Sequence, residues 1–113
     1  MQGLMVLQPN AKSKLDPKLK LVYIEYLSAA PWNLDYENVQ VGRFKQIGRI
    51  MLASAVQLSR EFGFTGRVGL YALPQAVSWY VRQGMIEVPS ATLKRLRYFE
   101  FTPELAQVFL PEN

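Results

Sequence analysis

The sequence predicts an α/β fold of the mixed-sheet, α+β kind: an antiparallel N-terminal hairpin leading into a β-α-β-α unit that contains a parallel strand pair. Three observations predict it. Two apolar runs, a short one at residues 3–7 and a longer one at 19–27 rich in β-branched and aromatic residues, flank a polar segment holding Pro9, Asn10, Asp16, Pro17 and several lysines. A stretch of helical period follows, with Ile47, Ile50, Met51, Ala55, Leu58 and Phe62 on one side and Gly63 as its stop. A third strand-like run, residues 67–73, then leads to Pro74, a residue suited to the first turn of a second helix. Strand, helix, strand in that order implies parallel strands joined by a right-handed crossover.

The remaining elements follow in order. The second helix is expected to run to Gly84, residues 85–88 form a weak strand, and residues 95–101 alternate enough for another. Thr102-Pro103-Glu104 reads as a helix start, with Thr102 as N-cap, Pro103 in the first turn and Glu104 favourable to the helix dipole. The sequence holds no internal repeat, low-complexity tract or linker, so residues 1–113 are expected to form one domain.

Composition narrows the chemistry. With no cysteine and no histidine, there is no thiolate nucleophile, no disulfide framework and no imidazole base or ligand, and no metal site is expected. No apolar run approaches the roughly 18–20 residues of a membrane span, and the N-terminus lacks signal-peptide character, so a cytoplasmic location is expected. The net charge is +4, from 13 Lys plus Arg against 9 Asp plus Glu, and the basic residues cluster at 12–20, 43–49 and 94–97. Such clusters suit an anionic partner, phosphate included, although basic residues also serve simply to solvate a surface.

The stretch Arg43-Phe44-Lys45-Gln46-Ile47-Gly48-Arg49 stands just before the helical pattern. A loop entering a helix there would offer unpaired backbone N–H groups to a phosphate, with Arg43, Lys45 and Arg49 adding charge and Gly48 allowing close approach. Downstream lies Leu73-Pro74-Gln75-Ala76-Val77-Ser78-Trp79-Tyr80-Val81-Arg82-Gln83-Gly84-Met85.

These two segments, in this order, resemble the GNAT family of N-acetyltransferases. The family's coenzyme A loop has Gln or Arg, two residues, Gly, one residue, then Gly or Ala. Arg43 and Gly48 match its ends, and Gln46 replaces its first glycine. The family's Asn-x-x-Ala-x-x-Phe-Tyr-x-x-x-Gly-Phe helix is matched by Ala76, Tyr80 and Gly84, with Trp79 and Met85 as replacements and Leu73 in place of the asparagine. The resemblance covers residues 19–85 and implies the C-terminal, acetyl-CoA-binding half of that fold, without the N-terminal strands and helices that wall the acceptor site. Another chain would then complete that wall, unless the protein is a shortened product.

The resemblance further implies that acetyl-CoA lies along the end of the strand at Leu27, Ser28 and Ala29 and on the loop at Arg43, Lys45, Gln46, Ile47, Gly48 and Arg49. It implies that Tyr80 protonates the departing thiolate. A phenol with a pKa near ~10 suits such a donor, although Tyr80 beside Trp79 is equally the pattern of core packing. Glu25, in the middle of an apolar strand, stands where a general base is expected; its other readings are an ion pair or a surface position. Strand alternation places Tyr23, Glu25 and Leu27 on one face.

The expected function is therefore transfer of an acetyl group from acetyl-CoA to an amine acceptor that the sequence does not identify. The alternatives are a non-catalytic CoA-binding or protein-interaction module, and a small basic nucleic-acid-binding domain using its aromatic residues for stacking. An exposed edge at residues 3–7 also leads to the expectation of a homodimer paired through that strand.

Overall fold

The computed structural model describes residues 5–27, 38–94 and 96–112, and among these the side chains of 6–25, 48–94 and 96–112. A five-stranded mixed sheet has strand order β1-β2-β3-β5-β4, formed by β1 (Met5–Lys12), β2 (Lys20–Leu27), β3 (Val68–Ala72), β4 (Ile86–Glu87) and β5 (Arg97–Phe101). Helix α1 (Asn38–Glu61) connects β2 to β3, α2 (Val77–Gln83) follows β3 after a single 3-10 turn at Pro74–Ala76, and α3 (Pro103–Phe109) follows β5. As the sequence predicts, β1 and β2 pair antiparallel and β2 and β3 pair parallel. The last two strands return antiparallel, β5 beside β3 and β4 beyond it.

Register assigns the two faces of the sheet. One carries Val22, Ile24, Val68, Leu70, Ala72, Phe99 and Phe101, and the helices cover it with Leu52, Ala55 and Val56 from α1, Trp79 and Tyr80 from α2, and Ala106 and Phe109 from α3. Burial of this single cluster is the main stabilising term, at about 25 cal/mol per Å² of apolar surface. Arg49 closes its rim, with its guanidinium carbon 4.5 Å above the Phe109 ring and Nη1 donating to the Gln83 side chain at 2.6 Å. The second face carries Leu21, Tyr23, Glu25, Gly69, Tyr71, Tyr98 and Glu100.

Local sequence explains the ends. Gly84 adopts φ +97° after α2, and its N–H reaches back to the carbonyls of Tyr80 and Val81, the glycine C-cap expected from its position. The Thr102 hydroxyl accepts from the Leu105 N–H at 3.2 Å, so Thr102 is the N-cap of α3.

Two elements differ from expectation. Strand β1 extends past residue 7 through Pro9 to Lys12, with register shifts at Val6/Leu7 and Gln8/Ala11 and with Asn10 at φ 65°. These irregularities and a proline without an N–H interrupt the outer edge of β1 beyond residue 7, as edge strands often are interrupted. Helix α1 begins at Asn38 rather than near Ile47, so the whole stretch from Arg43 to Arg49 is helical. Among the described residues, no helix is long and apolar enough to cross a membrane.

Candidate functional site

The parallel pair sets the geometry. Val22 donates its N–H to the Arg67 carbonyl at 3.1 Å, and the paired residues are Val22 with Val68, Tyr23 with Gly69 and Ile24 with Leu70. Strand β2 nevertheless continues to Leu27 and β3 to Ala72. Beyond Ile24 and Leu70 each strand keeps its outer neighbour, since Leu27 and Tyr26 pair with Met5 and Val6 while Tyr71 and Ala72 pair with Tyr98 and Arg97. Among the described residues, pairing between the two strands ends at Ile24 and Leu70, so their carboxyl ends have no ladder pairing with each other; this junction is called the wedge. Parallel strands commonly bind ligands at that end.

On the helix-covered side, Tyr80 is buried, its ring stacked on Phe99 at a centroid distance of 6.2 Å and edge-on to Trp79 at 5.2 Å. Burial raises its phenol well above the usual tyrosine pKa, so it stays protonated across the neutral range. On the other side Glu25 is exposed. Its expected place in an apolar strand is correct, but it is not a buried carboxylate.

The buried carboxylate is Glu100, at 1% exposure. Its Oε1 accepts from the Ser13 hydroxyl at 2.8 Å, and its Oε2 accepts from the Lys14 N–H at 2.5 Å and the Tyr98 hydroxyl at 3.0 Å. Ser13 Oγ in turn accepts from the N–H groups of Leu15 and Asp16 at 3.1 and 3.2 Å. The network pins the β1–β2 connection onto β5. Burial, followed by the charge of Glu100 and its hydrogen bond, drives the Tyr98 phenol pKa upward. Sequence reasoning missed this cluster, although Glu100 stands between Phe99 and Phe101 as Glu25 stands between Ile24 and Tyr26.

The expected phosphate loop is corrected. Within a helix that starts at Asn38, N–H groups at positions 43–49 bond to carbonyls four residues earlier and are not available to cradle an anion. Arg43, Lys45, Gln46 and Ile47 lie in this helix, and their side chains lie outside those described. Gly48 is buried against α2, where a Cβ would stand 3.4 Å from two Trp79 ring carbons, so its smallness serves helix contact. Arg49 is committed to Gln83 and Phe109. The backbone of Leu27 ends β2, whereas Ser28 and Ala29 lie outside the described residues.

The structure thus places Glu25 near the carboxyl end of β2 on one face of the sheet, and Tyr80, stacked on Phe99 of β5, on the other. Among the described residues, no group of three or more acidic, His or Cys side chains could hold a metal ion. No protein-family model, no curated protein and no solved structure matches this chain.

Proposed function

We propose that the chain binds the pantetheine arm of acetyl-CoA in the wedge between β2 and β3 and transfers the acetyl group to an amine. The observation that carries this reading is the parallel pair joined through α1, whose pairing lapses after Ile24 and Leu70. Unpaired strand edges present N–H and C=O groups in the spacing of a peptide, and the amides of pantetheine are a chemical match for them. The order β2, α1, β3, α2 with β2 and β3 parallel is what the resemblance to the acetyl-CoA-binding half of the GNAT fold led us to expect, and it supports this reading.

In this reading the thioester lies in the wedge, with Glu25 on one side and Tyr80 on the other. The amine nitrogen attacks the thioester carbonyl, the new C–N bond forms, and the C–S bond breaks. Glu25 takes the proton lost by nitrogen. The sulfur leaves as thiolate. Because burial holds the Tyr80 phenol far above an ordinary thiol pKa near ~8.5, complete proton transfer is uphill, and Tyr80 stabilises the thiolate by donating a hydrogen bond while solvent supplies the proton.

Acetyl-CoA at a hundredfold excess over Kd is expected to stabilise the fold by about 2.7 kcal/mol and to raise Tm on the order of 10 °C. A folded sample whose melting curve does not move in millimolar acetyl-CoA removes the assignment. Tyr80→Phe is expected to lower kcat on the order of 10²-fold with little change in acetyl-CoA affinity, because the ring stays and only the donor is lost. Undiminished turnover would return Tyr80 to a purely structural place in the core.

The helical state of residues 43–49 favours a second reading, a non-catalytic CoA-binding module, since it removes the expected phosphate cradle. An acetyl-CoA thermal shift with no acetylation across a panel of amines would select it.

A further inference from the structure

At the carboxyl ends of the parallel pair, the second face of the sheet presents Tyr23, Tyr71 and Glu25 together. Tyr71 is held in place twice: its ring stands edge-on to Tyr98 at 5.0 Å, and its hydroxyl donates to the Ala91 carbonyl at 3.2 Å. Tyr23 meets Tyr71 at 6.2 Å with the rings 73° apart. Both tyrosines are half-buried. Glu25 follows Tyr23 on the same face of β2, and its charge contributes, after burial and Tyr71, to the raised pKa of the Tyr23 phenol. Among the described residues Glu25 forms no ion pair. Of the lysines of this hairpin, Lys12 and Lys20 pair at its opposite end, and Lys14 and Lys18 lie in the connection there.

We propose that Tyr23, Tyr71 and Glu25 form a recognition site for an aliphatic ammonium group, which names the acceptor class for the acyl-transfer reading on which this inference rests. The chemistry selects that ligand. Tyrosine rings offer a negative π-face and apolar area for an alkyl chain, and a carboxylate beside them adds full charge complementarity. An anion would be repelled by Glu25, and a neutral group would gain nothing from it. The Tyr71 ring is preorganised by Tyr98 and Ala91, and Tyr23 packs against it, so little side-chain entropy is lost on binding. An ammonium held beside Glu25 stands at the wedge end of β2, next to the group that would take its proton before attack.

The test uses the free protein without acetyl-CoA. Titration with butylammonium chloride, followed by the NMR resonances of the Tyr23 and Tyr71 rings, is expected to give saturable shifts that weaken as sodium chloride is raised. An equal concentration of n-butanol, the neutral control with the same alkyl chain, is expected to give much smaller shifts that do not depend on salt. Glu25→Gln and Tyr23→Leu are each expected to weaken butylammonium binding about two- to five-fold while the variants stay folded. Shifts that do not saturate, an equal response to n-butanol, or unchanged affinity in Glu25→Gln overturns the site. An acetyl-CoA thermal shift on the same sample separates the two readings. A positive shift with a flat butylammonium titration defeats the ammonium site alone. Specific butylammonium binding without a thermal shift supports the ammonium site and removes the acyl-transfer role.

Discussion

Glu100→Ala is expected to destabilise the protein by about 3–5 kcal/mol, a large part of the roughly 5–15 kcal/mol that a domain of this size possesses. The substitution removes the acceptor for three donors at once, the Ser13 hydroxyl, the Lys14 N–H and the Tyr98 hydroxyl, all gathered around a carboxylate that is 1% exposed. A buried donor left without a partner forfeits its hydration and gains nothing in return. Denaturant unfolding measures the loss, and amide hydrogen exchange localises it. Lys14 loses its direct acceptor, while Leu15 and Asp16 lose the fixed position of the Ser13 oxygen that accepts from them. Glu100→Gln keeps one carbonyl acceptor and is expected to show a smaller loss with the same pattern, which keeps the test readable if the alanine variant does not fold. An unfolding midpoint close to the parent's in both variants would mean that the network does not anchor the turn.

The fold was legible where one residue type answered one local requirement. The β-branched and aromatic run before residue 27, the Gly84 stop and the Thr102-Pro103-Glu104 start each specify an element with little help from the rest of the chain, and β2, the C-cap of α2 and the N-cap of α3 stand where those residues put them. The start of α1 was not legible in the same way. Arg43, Lys45 and Gly48 together read as a phosphate loop, and that chemistry outweighed a helical signal already present in the spacing of Val41, Phe44, Gly48, Leu52, Ala55 and Ser59. A glycine inside a helix costs about 1 kcal/mol against alanine, so it argues for a turn unless something packs on it. The Trp79 ring does so, and only tertiary structure brings it there.

The site was legible by half for a related reason. Alternation correctly placed Glu25 beside Tyr23, but it says nothing about which face is covered. The desolvation argument for a carboxylate in an apolar strand applies to Glu25 and Glu100 alike at the level of sequence. Burial of Glu100 depends on Ser13 and Lys14, far away along the chain, folding over β5. The aromatic platform depends in turn on register between three strands, which brings Tyr23, Tyr71 and Tyr98 side by side.

Gly69→Ala is expected to cost about 2–5 kcal/mol, and the reason is steric rather than conformational. Gly69 lies in mid-strand without a left-handed φ, so alanine's backbone preferences are not the obstacle. A Cβ at this position would overlap the hydroxyl oxygen of Tyr98, with the ring carbon that bears it at 3.0 Å and a Leu21 methyl at 3.2 Å. Overpacking of this kind costs about 1–3 kcal/mol, and displacing the phenol also breaks its bond to Glu100, a hydrogen bond to a charged group. Tyr98→Phe separates the two contributions. It removes the overlapping oxygen and leaves a ring carbon and a methyl that shifts of a few tenths of an ångström relieve. Gly69→Ala should therefore cost less in the Tyr98→Phe background than in the parent, with a coupling of about 1–2 kcal/mol in the double-mutant cycle read by denaturant unfolding. Strict additivity of the two substitutions would show that the Tyr98 hydroxyl does not occupy the space above Gly69, and would remove the explanation of why this strand position is a glycine.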